Sequence, residues 1–233
     1  MNAVAILAGG LGTRLLPITE TIPKALVNVA SKPFIVQQLL YLKQQGISKV
    51  VICAGYLGEM IEAEVGNGDK FGISINYSFD GAYLLGTGGA LKKALPMLGE
   101  QFFVLYGDSF LPINYLQIED AFMNQEKLAL MTVYKNFGRW DKSNVQFENQ
   151  MILEYNKRAP NQSMHHIDYG LGLLKSSIFY NYPNNTFFDL ADVYQKLSLD
   201  RKLMGFEVHD RFYEIGSHQG LQDANQYFME KSK

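Results

Sequence analysis

Leu7-Ala8-Gly9-Gly10-Leu11-Gly12-Thr13-Arg14-Leu15-Leu16-Pro17, followed by Ile22-Pro23-Lys24-Ala25-Leu26, decides the reading of this chain. The stretch leaves a short apolar run, Ala3 to Ala8, which suits a buried strand. Three glycines in four positions let the backbone pass close to a bulky group and turn successive N–H groups toward it. Arg14 and Lys24 set two cations at the edge of the loop. A strand-to-loop turn of this composition suits a triphosphate.

Spacing separates the common phosphate loops. The P-loop needs Gly-Lys followed by Ser or Thr, and the chain has no Gly-Lys pair. The dinucleotide pattern G-x-G-x-x-G is half met by Gly10 and Gly12, but Leu15 stands in the third glycine's place and would hold helix and strand apart. A plain strand-to-helix turn accounts for the glycines and leaves Arg14, Pro17 and Pro23-Lys24 unexplained.

Outward from the loop, strands and helices alternate. Pro33 to Gln45 reads as a helix opened by Pro33 and stopped by Gly46. Lys49 to Ala54 is a strand, Leu57 to Val65 a helix and Ile73 to Tyr77 a strand. Thr87 to Leu98 is a helix with Thr87 as its cap, and Phe102 to Tyr106 is a strand ending at Gly107-Asp108. Tyr115 to Asn124 reads as helix and Leu128 to Tyr134 as strand. Asn144 to Phe147 and Met151 to Tyr155 form a hairpin, and Tyr169 to Leu174 is a strand. Phe188 to Leu199 is helical, Leu203 to Val208 a strand, and Gly220 to Met229 a closing helix. The pattern gives an α/β class: a Rossmann-like mixed, mainly parallel sheet flanked by helices. The chain is expected to be a single domain over 1–233, with halves 1–110 and 111–233.

Composition narrows the partners. With 233 residues, 47% hydrophobic and 19% charged, the chain is an ordinary globular one. A formal net charge of −2 argues against nucleic acid and anionic membrane as partners, so attraction for phosphate must be local. The single cysteine, Cys53, sits in an apolar run and reads as a buried, inert thiol. No signal peptide and no membrane-length apolar run is read, so the cytoplasm is expected.

The pattern G-x-G-T-R-x-x-P with Pro-Lys some ten residues on resembles the signature of the sugar-1-phosphate nucleotidyltransferases, also called NDP-sugar pyrophosphorylases, of the short type that guanylylates mannose- or heptose-type 1-phosphates. The resemblance extends to Leu85-Gly86-Thr87-Gly88-Gly89-Ala90, to Glu154 and Lys157 after a strand, to the loop ending Asp168-Tyr169-Gly170, and to Glu214-Ile215-Gly216-Ser217. It implies a nucleoside triphosphate, preferably GTP, and a sugar 1-phosphate as substrates, with UTP, TTP or CTP as alternatives and Mg2+ as cofactor. Leu7, Ala8, Gly9, Gly10, Gly12, Thr13, Gly86, Thr87 and Gly88 would bind the nucleotide. Arg14 would hold the leaving pyrophosphate, and Lys24 the α-phosphate or the sugar phosphate. Asn144, Glu154, Lys157, Asp168 and Gly170 would form the sugar-phosphate side.

Asp108, at a strand's carboxyl end beside the phosphate loop, is the expected magnesium ligand. Glu214 stands where the resemblance implies an aspartate as second ligand; its extra methylene leaves direct or water-mediated binding open. That replacement also leaves room for a nucleotide-sugar-sensing subunit of weak activity, and the half-met glycine pattern for a nicotinamide oxidoreductase. His165 and His166 read as loop residues, since neighbouring strand residues point to opposite faces and would not share one ion. Trp140 either stacks on a sugar or covers the core edge, the second being expected. A homo-oligomer is left open. After Lys233 no room is read for the left-handed β-helix that many longer members carry, so a second, acetyltransferase activity is not expected.

Overall fold

The run before the glycine loop does form a strand, and it lies between two parallel neighbours in the computed structural model, which describes residues 1–123, 125–140 and 142–231. In chain order the strands are β1 (Ala3–Ala8), β2 (Asn28–Val29), β3 (Lys32–Pro33), β4 (Lys49–Ala54), β5 (Ser74–Phe79), β6 (Gln101–Tyr106) and β7 (Ser109–Phe110). They continue with β8 (Ala129–Lys135), β9 (Val145–Glu148), β10 (Met151–Tyr155), β11 (His166–Lys175), β12 (Leu203–Val208) and β13 (Tyr213–Glu214). The helices are α1 (Phe34–Gln44), α2 (Gly58–Val65), α3 (Gly86–Leu98), α4 (Tyr115–Phe122), α5 (Leu190–Leu199) and α6 (His218–Lys231).

Nine strands form one sheet in the order β5-β4-β1-β6-β11-β8-β12-β10-β9. The first four are parallel; β11 runs antiparallel to β6 and β8, β12 is parallel to β8, and β10 and β9 close the far edge antiparallel. Alternation along each strand divides the core between the two faces. Val4, Ile6, Val50, Ile52, Phe103 and Leu105 face α1, α2 and α4. Ala5, Val51, Cys53, Phe102 and Val104 face α3 and α5. A third cluster, with Leu15, Phe34, Phe110, Ile215 and Phe228, seats α6 against the segment after the glycine loop. The stacked layers therefore leave the carboxyl ends of β1, β4 and β6 open on one side, where ligands bind in open α/β sheets.

Several expected elements change. Pro33 belongs to the β2–β3 ladder, and α1 starts at Phe34. Thr87 is not the cap of α3, which begins at Gly86; its hydroxyl oxygen instead accepts the N–H of Leu190, the first residue of α5, at 2.8 Å. The helix expected through Asn124 ends at Phe122, and Asn124 lies outside the described residues. His166 is no loop residue: it opens β11, buried, with Nε2 3.2 Å from Glu207 Oε1 and its ring edge-on to Phe147. His165, exposed, precedes the strand. A register shift in β11 between Asp168 and Gly172 hides the period-2 pattern there, which is why the sequence shows only the later part of that strand.

Candidate active site

Two cavities open at the carboxyl ends of the parallel strands and share Tyr106 and Asp108. The first, about 260 Å³, is walled by the glycine loop, by Cys53 and Ala90 beneath it, and by Leu84, Gly86 and Phe187. Gly12 holds a left-handed conformation with φ +66°, and a Cβ there would stand 2.9 Å from the Thr19 methyl group, so both backbone and space call for glycine. Among the described residues none accepts a hydrogen bond from the backbone N–H of Gly10, Leu11, Gly12 or Thr13. Such a run of free amides is an anion cradle. Beyond it Leu15 turns inward, fully buried, in a single 3₁₀ turn over Thr13–Leu15 where the dinucleotide fold would have a long helix.

The second cavity, about 500 Å³, is lined by side chains of many elements, among them Arg14, Asn144, Lys157, Asp168, Arg211 and Glu214. Asp168 Oδ1 accepts the Gly170 N–H at 3.0 Å, and the Asp168 N–H donates to Asn144 Oδ1 at 3.0 Å. Burial pushes the Asp168 carboxyl from 3.8 up to about 6, against the Gly170 N–H and the charge of Lys157, which both pull it down. Arg211 lies over Trp140, 4.6 Å from the ring centre, and over Tyr213 at 5.0 Å, and pairs with Asp223. Trp140 thus lines the cavity and packs edge-on against Phe212 at 5.6 Å, so its exposed ring is a wall of the site as well as a core edge.

Asp108 stands at the junction. Its Oδ2 accepts from Lys24 Nζ at 2.6 Å, and Ser109 Oγ donates to Oδ1 at 3.2 Å. The short antiparallel pair β7–β13 aligns Ser109 with Glu214, and the Ile215 N–H donates to the Asp108 carbonyl at 2.9 Å. The Glu214 carboxylate folds onto its own loop: Gly216 N–H donates to Oε2, and Ser217 Oγ donates to Oε1 at 2.6 Å. Ser217 also caps α6, accepting the Gly220 N–H at 3.0 Å. Arg14 passes over the same turn, Nη2 lying 2.8 Å from the place of a Cβ on Gly216.

Among the described residues no three Asp, Glu, His or Cys side chains cluster as a metal cage. The chain therefore offers one carboxylate at the mouth of both cavities and a second on the paired strand. Magnesium takes one or two carboxylates and completes its shell with phosphate oxygens and water, so the donor set fits it.

Leu7, Ala8, Gly9, Gly10, Lys24, Gly86, Thr87 and Asp108 line the first cavity; Arg14, Asn144, Lys157, Asp168, Gly170, Asp108 and Glu214 line the second. Four expected residues stand outside both walls. Gly12 and Thr13 come just after the part of the loop that lines the cavity, at its turn into the 3₁₀ segment. Gly88 is covered by the Phe188 ring, and its N–H donates to the Phe188 carbonyl at 2.9 Å, so it serves contact between α3 and the segment before α5. Glu154 accepts from Asn161 Nδ2 at 3.0 Å. Asp80, Asp189, Leu84, Phe187 and Arg211 also line the cavities; Asp80, Asp189 and Phe187 stand apart from any motif, while Leu84 and Arg211 lie just before the Leu85–Ala90 and Glu214–Ser217 stretches.

The family described as Nucleotidyl transferase matches residues 3–139, and the chain belongs to that family. The chain is 33% identical over 217 residues to the D-glycero-alpha-D-manno-heptose 1-phosphate guanylyltransferase of Campylobacter jejuni, covering 93% of this chain and 95% of that protein. It is 44% identical over 111 residues to the N-acetylmuramate alpha-1-phosphate uridylyltransferase of Neisseria meningitidis, covering 47% of this chain and 48% of that one. The fold is that of a putative glucose-1-phosphate thymidylyltransferase from Bacillus anthracis, with TM-score 0.85, 24% identity, and 97% of this chain and 94% of that chain covered. Family membership sets aside the nicotinamide reading of the half-met glycine pattern. Among the described residues no helix is long and apolar enough to cross a membrane.

Proposed function

We propose that the protein joins a nucleoside triphosphate, GTP by preference, to a mannose- or heptose-type sugar 1-phosphate, giving the nucleoside-diphosphate sugar and pyrophosphate. The observation that carries this is the pair of cavities meeting at Asp108, one edged by free backbone amides, the other by Arg14, Lys157 and Asp168. Full-length similarity to the heptose 1-phosphate guanylyltransferase supports the choice of base and sugar.

The residues would act chiefly by position. The sugar phosphate oxygen attacks the α-phosphorus in line with the departing pyrophosphate, with no covalent bond to the protein. Two anions must be held together against their repulsion, which is an orientation and charge problem. The Gly10–Thr13 amides take the triphosphate, and Arg14 holds the pyrophosphate as its charge grows. Lys157 anchors the acceptor phosphate. Asp168, a half-buried acceptor, takes hydrogen bonds from sugar hydroxyls. Lys24, paired with Asp108 at 2.6 Å, is placed to reach the α-phosphate.

Asp108, with Glu214 directly or through water, would hold Mg2+, which when bound supplies charge neutralisation of the phosphate oxygens. A nucleotide-sugar-sensing subunit of weak activity is the second reading, favoured by the Glu214 carboxylate being engaged by Gly216 and Ser217. The test is pyrophosphate release with Mg2+ from each of five triphosphates paired with mannose, glucose, N-acetylhexosamine and heptose 1-phosphates. Release with GTP and a mannose- or heptose-type phosphate is expected. Nucleotide binding without release from any pair would favour the sensing subunit.

A further inference from the structure

Two carboxylates face the first cavity without touching the phosphate loop's amides or the Asp108 junction. Asp80 follows β5 and reaches in beside Gly9, where a Cβ on that glycine would stand 3.6 Å from its Oδ2. Its Oδ2 accepts the Leu85 N–H at 3.0 Å, and its own N–H donates to the Ala54 carbonyl at 2.9 Å, so the side chain is fixed at both ends. Burial raises its carboxyl above the ordinary value, against the opposing pull of the Leu85 N–H and Lys93, and Oδ1 has no hydrogen bond from the described residues. Asp189 enters from the segment before α5, and its Oδ1 accepts from Thr87 at 3.2 Å.

Three side-chain donors lining this cavity are committed to protein acceptors. Lys24 is on Asp108, Thr87 on Asp189, and the Cys53 thiol lies 3.9 Å from the Ala90 carbonyl. Leu84 and Phe187 flank this acceptor-rich edge with apolar surface. The result is a slot for a flat ring whose edge must bring donors.

Nucleobases differ in what their edges bring. Guanine presents N1–H and its 2-amino group side by side, two donors that fit an acceptor-only carboxylate. Uracil and thymine present a single N–H between two carbonyl oxygens, which a carboxylate repels. Cytosine and adenine offer an amino group beside a ring acceptor. A site built to pair with polar groups rejects a ring that leaves them unpaired.

Resting on the reading of this cavity as the triphosphate site, we propose that Asp80 reads the nucleobase by accepting from its N–H groups, that the base is guanine, and that Asp189 is a second acceptor in the same slot.

The experiment is calorimetric titration of the full chain with GTP, ITP and UTP in Mg2+, beside pyrophosphate release with each. ITP keeps N1–H and lacks the 2-amino group, so it should bind about tenfold to hundredfold more weakly than GTP, and UTP more weakly again. Asp80→Asn keeps an oxygen for the Leu85 N–H and turns the other atom into a donor. It should weaken GTP by about the same factor and strengthen UTP, shifting the ratio of the two. Equal binding of GTP and ITP by the unaltered chain would overturn the proposal. So would an unchanged GTP-to-UTP ratio in an Asp80→Asn protein whose unfolding midpoint matches its parent. Preferred release with UTP would overturn the base assignment and leave nucleotidyl transfer standing. Failure of every triphosphate to bind would overturn both.

Discussion

The two cavities meeting at Asp108 are made of different material. The nucleotide side is largely backbone: a glycine loop after β1, the Gly86 start of α3, and small buried side chains such as Ala90 under it. The acceptor side is largely charged and aromatic side chains drawn from the turn after the glycine loop, β11, β13 and the segments beside them. A backbone cradle depends on a few conformations, such as the positive φ at Gly12, and binds any phosphate chain. A side-chain site depends on each group singly and can tell one sugar from another. The difference teaches where mutation should change rate and where it should change selectivity.

The sharpest break is at the shared residue. Asp108→Asn should lower turnover by more than about a thousandfold and flatten the Mg2+ titration, since it removes the carboxylate at the mouth of both cavities. An unchanged titration would remove Asp108 from the metal. Arg14→Ala should cost about two to three orders of magnitude in kcat, as loss of one preorganised charge donor does; near-normal turnover measured at saturation would exclude that role.

Lys157→Ala separates the two sides. It should raise the KM for the sugar phosphate by about tenfold to hundredfold, the worth of a hydrogen bond to a charged group, while the KM for the triphosphate stays put. Equal effects on both substrates would contradict the division.

Asp168 gives a pH test. Its carboxyl is raised in the folded protein from 3.8 to about 6, so its contribution to folding is full below about pH 3.8 and lost as pH rises through about 6. Asp168→Asn should therefore gain stability relative to its parent between pH 4 and pH 7, read as a widening difference in unfolding midpoint. Over the same range kcat/KM for the sugar phosphate of the unaltered protein should rise with an apparent pKa near 6. A flat stability difference would place Asp168 in a wetter setting than the structure shows.

Gly88→Ala is the mildest change. Crowding against Phe188 should outweigh the helix preference for Ala and lower the unfolding midpoint by several degrees, at about 2–4 °C per kcal/mol, with nucleotide binding little altered.

The same contrast explains what the sequence made legible. Backbone sites leave spacing behind them: Gly9, Gly10 and Gly12 before Arg14 could be read directly, as could β1, β4 and β6 from their apolar runs. Gly88 misled because glycine required by the close approach of Phe188 looks the same as glycine required by a base. Side-chain sites leave little. Asp80 and Arg211 are single residues whose importance comes from folding β5, α6 and the loop at Trp140 into place. The two-residue ladder β7–β13, which brings Glu214 to Asp108, is too short to carry a period. Thr87 was recognised as a capping residue, but the helix it serves is α5, about a hundred residues away, which local pattern cannot reveal.

The most direct test of the account is a crystal structure of the protein grown with the nucleoside-diphosphate sugar that the activity panel identifies as its product. The account predicts density running through both cavities, with the base beside Asp80 and Gly86, the diphosphate across Asp108 and Lys24, and the sugar against Lys157 and Asp168. A product whose sugar lies outside the 500 Å³ cavity, or whose diphosphate avoids Asp108, would contradict it.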